Sequence, residues 1–185
     1  MYTEKEYWRN RLNSYGSINT SKIDYVNEIE QQLLLNHIKE DNCVIDFGVG
    51  GGRLFPVYNS IKGLIVQGWD IADFKKIINE KKIEFKYGHL VSDVNIWDAG
   101  YPENNFDVVV SFSVLHHIRP ENIINTVKEL MRIGKKLIVS VYNDKPLPIN
   151  DETYMFSYNY KELFASYKII EEKKVGTVSY FVIIK

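Results

Sequence analysis

Val44-Ile45-Asp46-Phe47-Gly48-Val49-Gly50-Gly51-Gly52-Arg53-Leu54 is the stretch on which the reading of this chain turns. A short apolar strand runs into four glycines, and a helix is expected over 53–61. Glycine reaches positive φ without steric penalty and carries no Cβ to hold a ligand away, while the first N–H groups of a following helix suit an anion. The spacing excludes two common ligand turns. Counted from Gly48 and Gly50, G-x-G-x-x-G requires glycine at position 53, where Arg53 stands. No Lys-Ser or Lys-Thr follows the glycines, so a G-x-x-x-x-G-K-[ST] phosphate loop is absent too. What remains is D-x-G-x-G-x-G, filled by Asp46, Gly48, Gly50 and Gly52. A glycine turn that binds nothing is the competing reading.

Outward from this turn, strands and helices alternate. Val26, Ile29, Leu33, Leu34 and Ile38 recur at helical spacing between Asp24 and Ile38, which predicts an amphipathic helix. Downstream we expect strands over 64–69, 84–87, 106–112 and 136–141, and helices over 74–81 and 120–133. A helix over 160–166 and strands over 167–172 and 179–184 close the chain. Strands of continuous Val, Ile and Leu, interleaved with helices, predict a parallel sheet covered on both faces. Trp69-Asp70-Ile71 places a carboxylate at the end of the second strand, where open parallel sheets bind ligands. That acid can accept from a ribose diol or can cap a helix.

Composition narrows the class. The chain has 185 residues, 45% hydrophobic, enough for one sizeable core and too few for two ordinary enzyme domains. We expect a single domain, with residues 1–40 a helical cap and 41–185 the core. Twenty-three basic against 24 acidic residues give a charge of −1 and no broad positive face, so no nucleic acid is expected. The lone Cys43 reads as a small buried hydrophobe. Without an apolar leader or membrane-length run, a cytoplasmic protein is expected. No metal site is expected, and a homodimer is compatible with the sequence.

The stretch over 44–54 resembles the first motif of the class I S-adenosylmethionine (SAM)-dependent methyltransferase family. Gly68-Trp69-Asp70-Ile71-Ala72 resembles its second motif, and Asn105 to Ser111 with Val114-Leu115-His116-His117-Ile118 its fourth strand and following loop. Phe156 to Phe164 and Tyr180 to Ile183 resemble its last helix and antiparallel strands. The resemblance runs from about Asn42 to the C-terminus. It implies a Rossmann-like three-layer α/β sandwich whose mostly parallel sheet has seven strands, the last antiparallel; ahead of it, Tyr7, Trp8, Tyr15 and Tyr25 among charges suit an N-terminal helical lid or a helix that merely packs its rings on the domain. It also implies SAM as cofactor, with Asp46, Gly48, Gly50 and Gly52 beside the methionine part, Asp70 on the ribose, and Ile71 and Ser111 lining the site. The family's Gly-Asp after the third strand is replaced by Gly88-His89, which leaves adenine recognition to Asp93 first, to His89 by position, or else to backbone groups and apolar packing by Ile71 or Val94.

Methyl transfer needs an acceptor held in line behind the methyl group, and a hydroxyl or protonated amine also needs a base. Histidine suits that task near neutrality. His117 and His116, in the loop after the fourth strand, are the candidate bases, His117 first. Tyr142 is a candidate for positioning the acceptor. Each has a competing reading as an ordinary packed or loop residue. The function expected is methyl transfer from SAM to a small-molecule O or N acceptor. The alternatives are a non-catalytic SAM-binding or regulatory subunit and a methyltransferase that reaches a macromolecule through a partner.

Overall fold

The structure is a computed structural model that describes residues 6–8, 10, 27–74, 79, 90–92, 96–142 and 155–185. Contacts divide the chain into two compact units, Tyr2–Asn95 and Ile96–Lys185.

In the first unit, helix α1 (Glu28–His37) begins where Asn27 and Glu30 form a reciprocal capping box. Leu33 and Leu34 are its buried apolar stripe. Strands β1 (Cys43–Phe47) and β2 (Ile65–Asp70) pair in parallel, Cys43 opposite Ile65 and Phe47 opposite Trp69. The rings of Phe47 and Trp69 stack at 4.5 Å, so the two strand ends are locked beside the glycine turn. The helix expected over 53–61 is cut to α2 (Phe55–Tyr58). Pro56 sets the start, since without an N–H it is tolerated in the first turn and breaks a helix that began earlier; past Tyr58 the chain tightens into turns closed by Ser60 N–H to Val57 O and Ile61 N–H to Tyr58 O. Strand β3 (Leu90–Ser92) pairs in parallel with β2, Gly68 opposite Leu90. The strand expected over 84–87 lies outside the described residues, as does most of the helix expected over 74–81. Of the cap expected over 1–40, residues 6–8 and 10 are helical and α1 is its described helix; the rest lies outside the described residues.

In the second unit, β4 (Val108–Phe112) and β5 (Lys136–Tyr142) pair in parallel, and β7 (Val178–Ile184) runs antiparallel to both β5 and β6 (Lys168–Val175). The order within the unit is β4-β5-β7-β6. Helix α3 (Pro120–Ile133) buries Ile123, Val127 and Leu130 at the spacing read from the sequence. It ends at Gly134, where a Cβ would sit 2.4 Å from Val109 Cγ2, so glycine lets helix end and strand approach closely. A short helix, α4 (Tyr160–Leu163), precedes β6. The outermost strand, β6, exposes Lys168, Glu172, Lys173 and Lys174 beside Ile170 and Val175, and the charges discourage further strand pairing.

Parallel buried strands, helices between them and an antiparallel last strand are the Rossmann-like α/β class that the sequence predicts. Among the described residues, no helix is long and apolar enough to cross a membrane, and no cluster of three or more His, Cys, Asp or Glu is placed to hold a metal.

Candidate functional site

The glycine turn is built as its spacing requires. Gly48, Gly50 and Gly52 all lie at positive φ, +82°, +51° and +74°. A side chain at any of them would be strained, and their absence leaves backbone accessible to a ligand. The turn is tied to the end of β2 from two sides. The N–H groups of Gly48 and Val49 donate to Trp69 O, at 2.8 and 3.1 Å. Gly50 N–H donates to Asp70 Oδ2 at 2.9 Å, and Ala72 N–H donates to Asp70 Oδ1 at 3.0 Å. Asp70 is thus held in one orientation by backbone donors, with Ile71 N–H also favouring its charged form, and the carboxylate keeps capacity to accept a further bond. Burial pushes the Asp70 carboxyl up from 3.8 to about 6, against those backbone bonds, which favour its charged form. Half-buried Ile71 sits between the two anchors.

Asp46 is buried at the end of β1. Burial pushes its carboxyl up from 3.8 to about 7, Arg53 and the Tyr58 hydroxyl pull it down, and Asp70 and Glu30 add to the rise. The Tyr58 hydroxyl lies close enough to favour the carboxylate, yet has no acceptor in good hydrogen-bonding geometry. An open glycine cradle, an oriented acid for hydroxyl donors and a buried acid suited to a cation together fit an amino-acid nucleoside. Asp93 and His89 lie outside the described residues; in sequence Asp93 directly follows Ser92, the last residue of β3.

The second unit carries the other candidates. After β4, Ser113 adopts φ +62°, rare for a residue with a Cβ. Its N–H donates to Ser140 O at 3.1 Å and to Ser140 Oγ at 3.0 Å, which holds the strained turn in place. A single 3-10 turn, Leu115–His117, follows. His116 is buried with Nδ1 unpaired, and burial, aided by neighbouring His117, pushes its imidazole down to about 2. His117 is half-buried, its ring 4.1 Å from that of His116. Tyr142, exposed at the end of β5, meets His116 edge-on at 4.9 Å. Ser111 is fully buried inside β4, its Oγ without a partner. Phe156 N–H donates to His116 O at 2.7 Å, and the Tyr158 hydroxyl donates to Ile118 O.

The profile of the family described as "Methyltransferase domain" matches residues 45–139, just over half of the chain. The chain belongs to the class I SAM-dependent methyltransferase family. SAM is the cofactor of that family. An uncharacterized protein of Methanocaldococcus jannaschii is 23% identical over 176 residues, a match spanning 95% of this methyltransferase-family chain and 64% of its relative's length. The 1,6-didemethyltoxoflavin-N1-methyltransferase of Burkholderia thailandensis, crystallised with 1,6-didemethyltoxoflavin and S-adenosylhomocysteine, has a similar structure. The TM-score is 0.76 at 15% identity, covering 100% of this chain and 91% of that one. A chain of the Haloferax volcanii complex between the Trm112 methyltransferase activator and a methyltransferase matches with a TM-score of 0.69 at 14% identity, covering 98% and 95%. At such identities the likeness is one of fold.

In this methyltransferase fold the sequence reading missed three things. Arg53, read only as the start of a helix and as the residue that breaks the third-glycine spacing, is bound to Glu30, a pairing that no local pattern marks. Ser113 and Ser140 form a strained turn that no composition signal marks. Phe156 and Tyr158 return to the His116–Ile118 segment from more than thirty positions away, a pairing that local pattern does not encode.

Proposed function

We propose that the protein is a SAM-dependent methyltransferase, of the EC 2.1.1 class, that methylates an O or N atom of a small molecule. The observation that carries this reading is the glycine turn at positive φ clipped to Asp70 by the Gly50 N–H. When bound, SAM supplies an electrophilic methyl group on a positively charged sulfur. Asp70 accepts the ribose hydroxyls, Asp46 and Gly48, Gly50 and Gly52 receive the methionyl end, and Ile71 packs on the adenine. Asp93, the residue after β3, is our candidate for the adenine amino group.

His117 is the proposed base. A base must be able to hold a proton near neutrality, and burial denies this to His116, which we assign to supporting His117 and Tyr142 through ring contacts. Tyr142 positions the acceptor. Ser111 contributes, at most, an unpaired hydroxyl from within β4. The small-molecule acceptor accords with the balanced charge and with the Burkholderia relative's own ligand. A partner-dependent reading has one specific support, the likeness to a chain solved with an activator protein. We place the protein in the cytoplasm.

The test is to incubate the protein with methyl-labelled SAM and cell extract divided into small-molecule and macromolecular fractions. Label should enter the small-molecule fraction, and His117→Ala should cut that transfer by about 100-fold or more while SAM affinity stays within about twofold. Label confined to macromolecules would contradict the acceptor class. Unchanged transfer in His117→Ala would remove His117 from the chemistry.

A further inference from the structure

Beside the glycine turn lies a charged cluster that the donor-binding roles above leave unused. Arg53 follows Gly52 directly, and its guanidinium is bidentate on Glu30 of α1, Nη1 to Oε2 at 2.6 Å and Nη2 to Oε1 at 2.8 Å. Glu30 is only 4% exposed and also serves the capping box with Asn27. The first turn of α1 is therefore fastened to the residue that ends the glycine turn. A buried ion pair contributes little net stability because desolvation offsets the attraction; its best-attested use is to fix one arrangement among several. The groups around Asp46 are Arg53, the Tyr58 hydroxyl from α2, Asp70 from β2 and Glu30 from α1. One cation stands among three acids, and its fork is already engaged by Glu30.

We propose that Glu30 and Arg53 are positioning residues for the donor's methionyl end: the pair holds Arg53 beside Asp46 with its fork engaged, and so leaves the Asp46 carboxylate to be matched by an ammonium group on the ligand. This rests on the SAM-binding reading above. It makes the amino-acid end of the ligand, rather than its nucleoside, the part whose recognition depends on Glu30 and Arg53. It also gives the two residues opposite effects on Asp46, since Arg53 favours the carboxylate and Glu30 opposes it.

The test is calorimetric titration of the full chain and of Glu30→Gln and Arg53→Gln with SAM, S-adenosylhomocysteine and 5′-methylthioadenosine, which lacks the amino-acid end, at a series of pH values. Glutamine at position 30 keeps an oxygen for the capping box, so α1 stays capped. At neutral pH, Arg53→Gln should weaken SAM and S-adenosylhomocysteine by about tenfold or more, with 5′-methylthioadenosine within about twofold. Wild-type affinity for SAM should rise with pH as Asp46 ionises. That rise should move to higher pH in Arg53→Gln and to lower pH in Glu30→Gln, a split that general loosening of the turn does not produce. Equal losses for all three ligands, or pH profiles that move together, would overturn the inference and leave the donor reading standing. A wild-type protein silent to both SAM and S-adenosylhomocysteine would overturn the donor reading itself, and the inference with it.

Discussion

Gly50 is the residue on which the cofactor turn depends most directly. At φ +51° a Cβ would find no steric obstacle closer than Gly48 O at 3.9 Å, so the cost of a side chain is conformational. Gly50→Ala should therefore fold, with about 1–2 kcal/mol lost in chemical denaturation, and should bind SAM more weakly. Gly50→Arg should abolish binding. Asp46 gives a second, pH-dependent signature. Folded, its carboxyl holds a proton up to about 7; unfolded, it releases it near 3.8. Between those values the unfolded chain binds fewer protons, so this group's contribution to stability falls as pH rises from about 4 to about 7 and then levels off. Asp70, raised to about 6, acts in the same direction over a narrower window. Asp46→Asn should flatten that slope in melting curves taken without ligand. A slope that stays the same would mean that Asp46 is already ionised across this range.

At the scale of elements, much was legible because the strands are buried on both faces and advertise it. Val108 to Phe112 and Leu137 to Val141 are apolar runs each broken by a single serine, Ser111 and Ser140, and α3 was readable to its ends from Pro120 at the start and Gly134 after the last apolar position. α2 was overread because the apolar spacing past Arg53 masks the constraint set by Pro56. The site was legible where backbone geometry dictates residue type: the glycines at 48, 50 and 52, and the acid that ends β2. It was illegible where two distant polar residues meet, as Glu30 with Arg53 and Ser113 with Ser140 do, since sequence spacing carries no signal of such pairs. Gly134 tests the packing at this scale. A methyl group there would overlap Val109 Cγ2 and crowd Leu130 O, so Gly134→Ala should destabilise the second unit by about 1–3 kcal/mol, read from the denaturation midpoint. No change would show that the helix end and β4 have more freedom than this packing describes.

For the whole molecule, family membership and fold agree with the sequence, while acceptor and assembly are matters of proposal. A net charge of −1 gives no long-range attraction to a polyanion, and the chain spans 64% of the length of its Methanocaldococcus relative. The donor is common to every form the function can take, whether the acceptor is a small molecule or is brought by a partner. The most direct measurement is therefore calorimetric titration of the purified protein with SAM and S-adenosylhomocysteine, with NAD as the control. Stoichiometric binding of both at about micromolar strength, with no heat from NAD, is the predicted result. Folded protein that binds neither, or that binds NAD more tightly, would contradict the account.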